Sequence, residues 1–182
     1  MNIIVKPQGN DLCYCRPDTT WERENKDFYV PEGTECLYWT PIIFARVSKA
    51  GKCINPKFAS RYYDAFNFGM LIYTGDGETA FTSCADHSSI LPAPLYNTLV
   101  MEGEENIYSV SKDGENIFSS FPDRILIEDA ICRASRMTSV RIGDFVAVEL
   151  DGRRKLAERK DGETGVMATF CENETYSFKI IF

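Results

Sequence analysis

Apolar positions along this chain fall mostly into runs and two-residue alternations, so strands outnumber helices in the expected element list. Asn2 to Lys6 is a short apolar strand. Cys36 to Val47 is apolar and rich in aromatic and β-branched residues, the pattern of a buried strand, and Ala50-Gly51-Lys52 breaks it. Phe68 to Thr74 is another strand, stopped by Gly75-Asp76-Gly77. Ile107 to Ser111 and Asn116 to Phe118 flank Lys112-Asp113-Gly114-Glu115, and Asp-Gly between apolar alternations predicts a hairpin. Phe145 to Leu150, a turn at Asp151-Gly152, Val166 to Phe170 and Tyr176 to Phe182 complete the strands. In the last, Tyr176, Phe178 and Ile180 alternate with Ser177 and Lys179.

Helical spacing is expected in two places. Asn55-Pro56 supplies an N-cap and a proline at the first helical position. That helix should run through Phe58, Arg61, Tyr62 and Phe66, with Phe58, Tyr62 and Ala65 on one face. Pro122-Asp123 opens the second, through Ile127, Ala130, Ile131 and Ala134 to about Arg136. Gln8 to Lys26 reads as polar loop or one short helix capped by Asp18 or Thr19. Ser83 to Pro94 reads as loop, punctuated by Pro92 and Pro94. With no internal repeat or low-complexity linker, the expectation is one strand-rich α+β domain over residues 1–182. Residues 1–27 form an N-terminal strand and loop, and residues 28–182 form a core with two principal helices.

A chain of 182 residues buries a sizeable core without covalent staples. Its formal net charge of -7 opposes phosphate backbones, so nucleic acid is not an expected partner. Seven cysteines, an odd and scattered set, do not form a secreted disulfide framework. The apolar run at Met1–Lys6 is too short for a signal-peptide core or a membrane span. The expected address is the reducing cytoplasm, with no membrane partner.

Several groups have chemical potential. His87 stands in Cys84-Ala85-Asp86-His87-Ser88-Ser89, where it would serve as base to a cysteine or serine nucleophile. No oxyanion-hole signature accompanies it, and a polar loop is the simpler reading. Cys13-Tyr14-Cys15 offers two soft-metal ligands without the second pair that a closed zinc site needs, so half-buried thiols are the simpler reading. Gly75-Asp76-Gly77-Glu78 lacks a phosphate-loop ending and reads as a turn. Tyr62, Tyr63, Phe66, Phe68 and Tyr73 are expected in the core, with some available to an association surface.

Three local sequences, taken in order, resemble the fumarylacetoacetate hydrolase family. They are Arg46-Val47-Ser48-Lys49-Ala50-Gly51-Lys52 with Lys57-Phe58-Ala59-Ser60-Arg61-Tyr62-Tyr63-Asp64, then Lys112-Asp113-Gly114-Glu115, then Ser135 through Asp144. The resemblance spans most of Phe28 to Leu150 and implies a mixed β-sheet or β-roll like the family's C-terminal domain. It also implies a homodimer, and a magnesium, manganese or calcium ion held by a Glu-x-Glu pair and an aspartate. That ion would polarise a β-dicarbonyl acid while a histidine activates water.

Here the Glu-x-Glu positions fall on Thr40 and Ile42, or on Trp39 and Pro41, and the aspartate on Leu71 or Ile72. No histidine lies between Pro7 and Lys26. The family's later lysine falls near Ser83, with Asp86 surviving beside it, and Phe145-Val146-Ala147-Val148 replaces a Thr-Gly-Thr-Pro segment. The expectation is a catalytically inactive family member, with vacated metal positions near Thr40, Ile42 and Ile72 and no cofactor. Its old cleft would be left to a small-molecule ligand or a partner protein. Two alternatives stay open. One is an active hydrolase, isomerase or decarboxylase with a relocated Mg2+ or Mn2+ site, catalytic Asp86 and His87 acting with Glu22 or Glu24. The other is an interaction subunit pairing with an active paralogue. Glu22-Arg23-Glu24, Glu102-Gly103-Glu104 and Glu172-Asn173-Glu174 are further Glu-x-Glu pairs, expected on solvated surface among 27 acidic residues.

Overall fold

The computed structural model describes residues 1–76, 80–103 and 106–182. In chain order the strands are β1 (Ile3–Lys6), β2 (Tyr14–Arg16), β3 (Trp21–Glu22), β4 (Phe28–Tyr29), β5 (Cys36–Val47), β6 (Tyr63–Tyr73), β7 (Ser89–Ile90), β8 (Tyr96–Asn97), β9 (Tyr108–Lys112) and β10 (Glu115–Ser120). The α-helix α1 (Arg124–Met137) follows, then β11 (Phe145–Glu149), β12 (Arg154–Glu158), β13 (Glu163–Phe170) and β14 (Asn173–Ile181). The two principal helical elements are α1 and a six-residue 3-10 turn, Pro56–Arg61.

Among the described residues the strands form two mixed sheets. One runs β2-β1-β11-β5-β6-β7-β3, with β12 also on β5 and β8 also on β6; the other runs β10-β9-β13-β14-β4. The first sheet must curl. Laid flat, its seven-strand path would put β2 and β3 about 29 Å apart at ~4.8 Å per strand. Yet only Pro17–Thr20 joins them, a link that reaches roughly 18 Å at most. The edges therefore approach each other, and the sheet becomes a roll with an inside and an outside.

Alternation along β5 sorts its side chains between the two. Leu37, Trp39, Ile43, Ala45 and Val47 join the main core with the second sheet and α1. Tyr38, Ile42 and Phe44 face the roll interior with Ile3, Val5, Leu71, Tyr73 and Ala147. Ring contacts reach across this interior, with Trp21 and Phe44 each edge-on to Phe145 at centroid separations of 5.4 and 5.5 Å. Gly69 on β6 is obligatory here, because a Cβ would stand 2.1 Å from the Ile90 carbonyl oxygen of β7.

The hairpin at Asp113-Gly114 forms as expected, both residues having positive φ, 49° and 85°, as a type I′ turn requires. The helix after Pro122 starts at Arg124, with the Asp123 carboxylate accepting from the Ile125 N–H at 2.8 Å. Ile127, Ala130, Ile131 and Ala134 are buried as the spacing demands. The 55–66 segment departs from expectation. Asn55 does cap a turn, accepting from the Lys57 N–H, but helix ends at Arg61 and β6 begins at Tyr63. Phe58 is 46% exposed and shares no buried face with Ala65. The physical reason is pairing: Tyr63, Ala65 and Phe66 lie opposite Val47, Arg46 and Ala45 in the β5–β6 ladder, which overrides local helical preference. In the Gln8–Lys26 segment the short helical turn is Asp18–Thr20, preceded by Pro17 and without a side-chain cap from Asp18 or Thr19. The strands β2 and β3 on either side of it, and β12, carried too little apolar pattern to be expected. No helix among the described residues is long and apolar enough to cross a membrane.

Candidate functional site

The positions where the family resemblance places metal ligands sit at the centre of the roll. Thr40 and Ile42 point inward from β5, and Leu71 lies opposite Thr40 on β6. Ile72, the other candidate for the aspartate position, pairs with Trp39 and faces the main core instead, so it cannot share a site with Thr40 and Ile42. With the pair on Thr40 and Ile42, alternation makes Leu71 the position that faces it; with the pair on Trp39 and Pro41, Ile72 lies opposite Trp39 instead. Thr40, Ile42 and Leu71 are all 0% exposed. The Thr40 hydroxyl donates to the Asp151 carbonyl at 2.7 Å, and the other two side chains are hydrocarbon. A hard divalent cation needs six or so oxygens, several of them anionic. These residues do not fit one, and among the described residues no three His, Cys, Asp or Glu side chains converge elsewhere.

A polar network crosses the gap between the roll's edges where hydrocarbon ends. Arg16, 2% exposed, reaches from β2 to β6 and its neighbouring loop. Its Nε donates to the Ser83 carbonyl, and its Nη2 to the Ile72 carbonyl and the Ser88 hydroxyl, each at 2.7 Å. Tyr14 lies one inward position before Arg16 on the same strand, and its hydroxyl meets that of Tyr73 at 2.7 Å. Tyr73 in turn donates to Glu149 Oε1 at 2.6 Å, while the Gln8 N–H donates to Oε2 at 3.2 Å. Burial, with the Glu149 charge adding to it, pushes the Tyr14 phenol up to about 12. Burial raises Tyr73 further, so both phenols stay neutral donors. Burial also lowers the Arg16 pKa, although a guanidinium keeps its charge in proteins.

Beside this network opens a cleft of about 380 Å³, lined by Cys13, Tyr14, Cys15, Ser83, Cys84 and Arg153 among others. Arg153 follows the turn after β11, and its guanidinium stacks 3.9 Å from the Tyr73 ring centroid; Arg16 lies 5.0 Å from the same centroid. Of this set, Glu149 carried a sequence signal, as a lone charge in an apolar strand. Arg16 and Arg153 stood in polar segments without a pattern to single them out.

The residues expected from sequence are distributed differently. Asp86 is exposed and makes no hydrogen bond or ion pair among the described residues. His87, 56% exposed at φ 59°, places Nδ1 2.9 Å from Glu22 Oε2, so its partner is Glu22 rather than Asp86. Glu22 is 4% exposed, and its Oε1 accepts from the Glu24 N–H at 2.6 Å; the Glu24 side chain instead pairs with Lys26 at the surface. The Ser88 hydroxyl is held by Arg16 and the Ala85 carbonyl, away from His87. Cys13 and Cys15 lie at the cleft, both with thiol pKa values raised by burial, and among the described residues they gather no further metal ligands. Glu102 pairs with Arg124, and Glu172 and Glu174 are exposed. Glu104, Gly77 and Glu78 lie outside the described residues.

No protein-family model matches the sequence, and no curated protein does. Solved structures match the fold closely at low identity. A protein from Yersinia pestis CO92 assigned to the fumarylacetoacetate hydrolase family superposes with TM-score 0.80 at 12% identity, over 99% of this chain and 92% of that one. Fumarylpyruvate hydrolase from Pseudomonas aeruginosa, solved with Mn2+ and pyruvate, gives 0.78 at 14% identity, over 100% and 88%. The 5-carboxymethyl-2-hydroxymuconate delta-isomerase of Mycobacterium smegmatis gives 0.79 at 12%, over 99% and 78%. The fold of this chain is therefore that of the fumarylacetoacetate hydrolase family.

Proposed function

We propose that this chain is a divergent relative of the fumarylacetoacetate hydrolases that has given up their metal-dependent chemistry and kept the cleft for binding. One observation carries the reading: Thr40, Ile42 and Leu71 meet at the centre of the roll, fully buried, where the family resemblance calls for three carboxylates. One apolar replacement can be compensated by neighbours. Three cannot, because bringing a dehydrated divalent ion against hydrocarbon leaves its charge unmatched. The occupant of the cleft is then a small molecule, in a protein that works as a homodimer as the resemblance implies.

Calorimetric titration with magnesium and then manganese tests the reading. No saturable binding at millimolar metal is the expected result; stoichiometric binding would overturn it. A second reading has one observation in its favour, the buried Glu22 carboxylate that orients His87. This is the arrangement of an imidazole general base. Under that reading the protein turns over β-dicarbonyl acids and His87→Ala abolishes turnover. A substrate screen that finds no turnover excludes it.

A further inference from the structure

Among the described residues, the cleft beside Tyr14 gathers more positive charge than its neighbours neutralise. Two guanidinium groups, Arg16 and Arg153, flank the Tyr73 ring at 5.0 and 3.9 Å from its centroid. One buried carboxylate, Glu149, answers them through the Tyr73 hydroxyl. Neither arginine forms an ion pair among the described residues. Arg16 is 2% exposed, and its Nη1 is buried without a hydrogen-bond partner, although its Nε and Nη2 are bonded. It lies just behind the cleft wall, between Tyr14 and Cys15 in front and Ser83, whose carbonyl it holds.

A buried guanidinium with an orphan N–H and no carboxylate of its own is costly unless something anionic approaches it. Arg153 is placed to receive such a group. Stacking on Tyr73 occupies the face of its guanidinium and leaves the N–H edge, which finds no acceptor among the described residues. That edge is the part of an arginine that binds oxyanions in a forked pair of hydrogen bonds. The protein as a whole is acidic, with net charge -7, so a local excess of cations is not a property of the general surface.

We propose that the cleft is a metal-free receptor for a small monocarboxylate, gripped by the edge of Arg153 and further neutralised by Arg16 behind the wall. Charge decides the class. Among the described residues, two guanidiniums against one carboxylate leave a single positive unit, which a monoanion balances and a dianion exceeds. Size agrees, since about 380 Å³ suits a small metabolite. The ligand's charge thus meets fixed guanidinium groups instead of a divalent ion. This inference rests on the metal-free reading above.

The test is calorimetry on the whole protein in EDTA, with pyruvate, malonate and inorganic phosphate as probes. Saturable pyruvate binding is expected, with malonate and phosphate weaker by about tenfold or more. Arg153→Ala should lose at least about tenfold in affinity, and Arg153→Lys should recover part of it, because a lysine keeps the charge but not the fork. Thermal unfolding of both variants, alongside, confirms that they are folded. Preferential phosphate binding, or pyruvate binding that survives Arg153→Ala, overturns the proposal. No pyruvate binding with or without Mn2+ overturns it while leaving the metal-free reading intact. Pyruvate binding that appears only with Mn2+ overturns both.

Discussion

The Arg16 guanidinium donates to the Ile72 carbonyl at 2.7 Å and so ties the edge strand β2 to the C-terminal end of β6. The two residues are 56 apart in sequence, and the bond spans the gap that the curling of the first sheet leaves. With it come bonds to Ser83 and Ser88, which fasten the loop before β7 to the same side chain.

Arg16→Ala removes all of these donors and leaves a cavity behind Tyr14. Charged hydrogen bonds contribute roughly 1.5–3 kcal/mol each, offset here by the cost of burying the guanidinium, so a net loss of about 3 kcal/mol is expected. Arg16→Met fills much of the space and eliminates the orphan Nη1, and should cost about half as much. Urea denaturation reads both. A methionine variant as stable as wild type would mean that the bonds contribute nothing beyond packing.

Ile42→Glu places one carboxylate back in the roll. Buried among hydrocarbon and unpaired, it should destabilise by several kcal/mol at neutral pH, on the order of the burial cost of an uncompensated charge. Its folded-state pKa rises above the unfolded value. The penalty is therefore absent at low pH and grows as pH climbs above the ordinary glutamate value. Added Mn2+ should not restore stability, since Thr40 and Leu71 supply no further anionic ligand. Rescue by manganese would contradict the metal-free reading.

Tyr14 makes the fold sensitive to alkali. Its phenol holds its proton more tightly folded, up to about 12, than an ordinary phenol at about 10. Between those values the unfolded chain has lost the proton and the folded one keeps it. Stability contributed by Tyr14 is complete below about pH 10 and falls as pH rises toward 12. Tyr14→Phe should flatten that fall in urea midpoints taken from about pH 9 upward. An unchanged slope would show that Tyr14 is not the group responsible.

Gly69→Ala should be among the most damaging single-methyl additions. The new carbon would meet the Ile90 carbonyl oxygen at 2.1 Å, backbone that cannot swing aside without breaking the β6–β7 pairing. A loss of roughly 3 kcal/mol is expected from forced overpacking. A melting temperature close to wild type would show that β7 is free to move.

At α1, Asp123→Ala deletes the carboxylate that accepts from the Ile125 N–H. About 1 kcal/mol is the usual cost of losing such a cap. Thermal unfolding compared with Asp123→Asn, which keeps an acceptor, separates the cap bond from the charge.

Local pattern was enough wherever neighbours in sequence are also neighbours in space. The Asp113-Gly114 hairpin needs only two residues that tolerate positive φ, and α1 needs a cap and an apolar stripe; both formed where expected. The long strand β5 declared itself by composition, and its resemblance to the family's strand led to Thr40 and Ile42. Pattern misled at Tyr62 to Phe66, where aromatic spacing fits a helix but the partner strand lies elsewhere in the chain.

What the sequence by itself determined is the strand-rich fold class and the absence of carboxylates at the positions that the resemblance singles out, because residue identity needs no coordinates. The tertiary structure decided which of those positions face one another. Strand alternation put Leu71 with Thr40 and Ile42, and turned Ile72 toward the other core. It also decided that His87 meets Glu22, and that Arg16, Tyr73 and Glu149 gather behind a cleft that Tyr14 and Arg153 line. Those groups come from three separate stretches of chain, β2, the end of β6 and the end of β11 with the turn after it, and only the curling of the sheet brings them within reach of each other's charge.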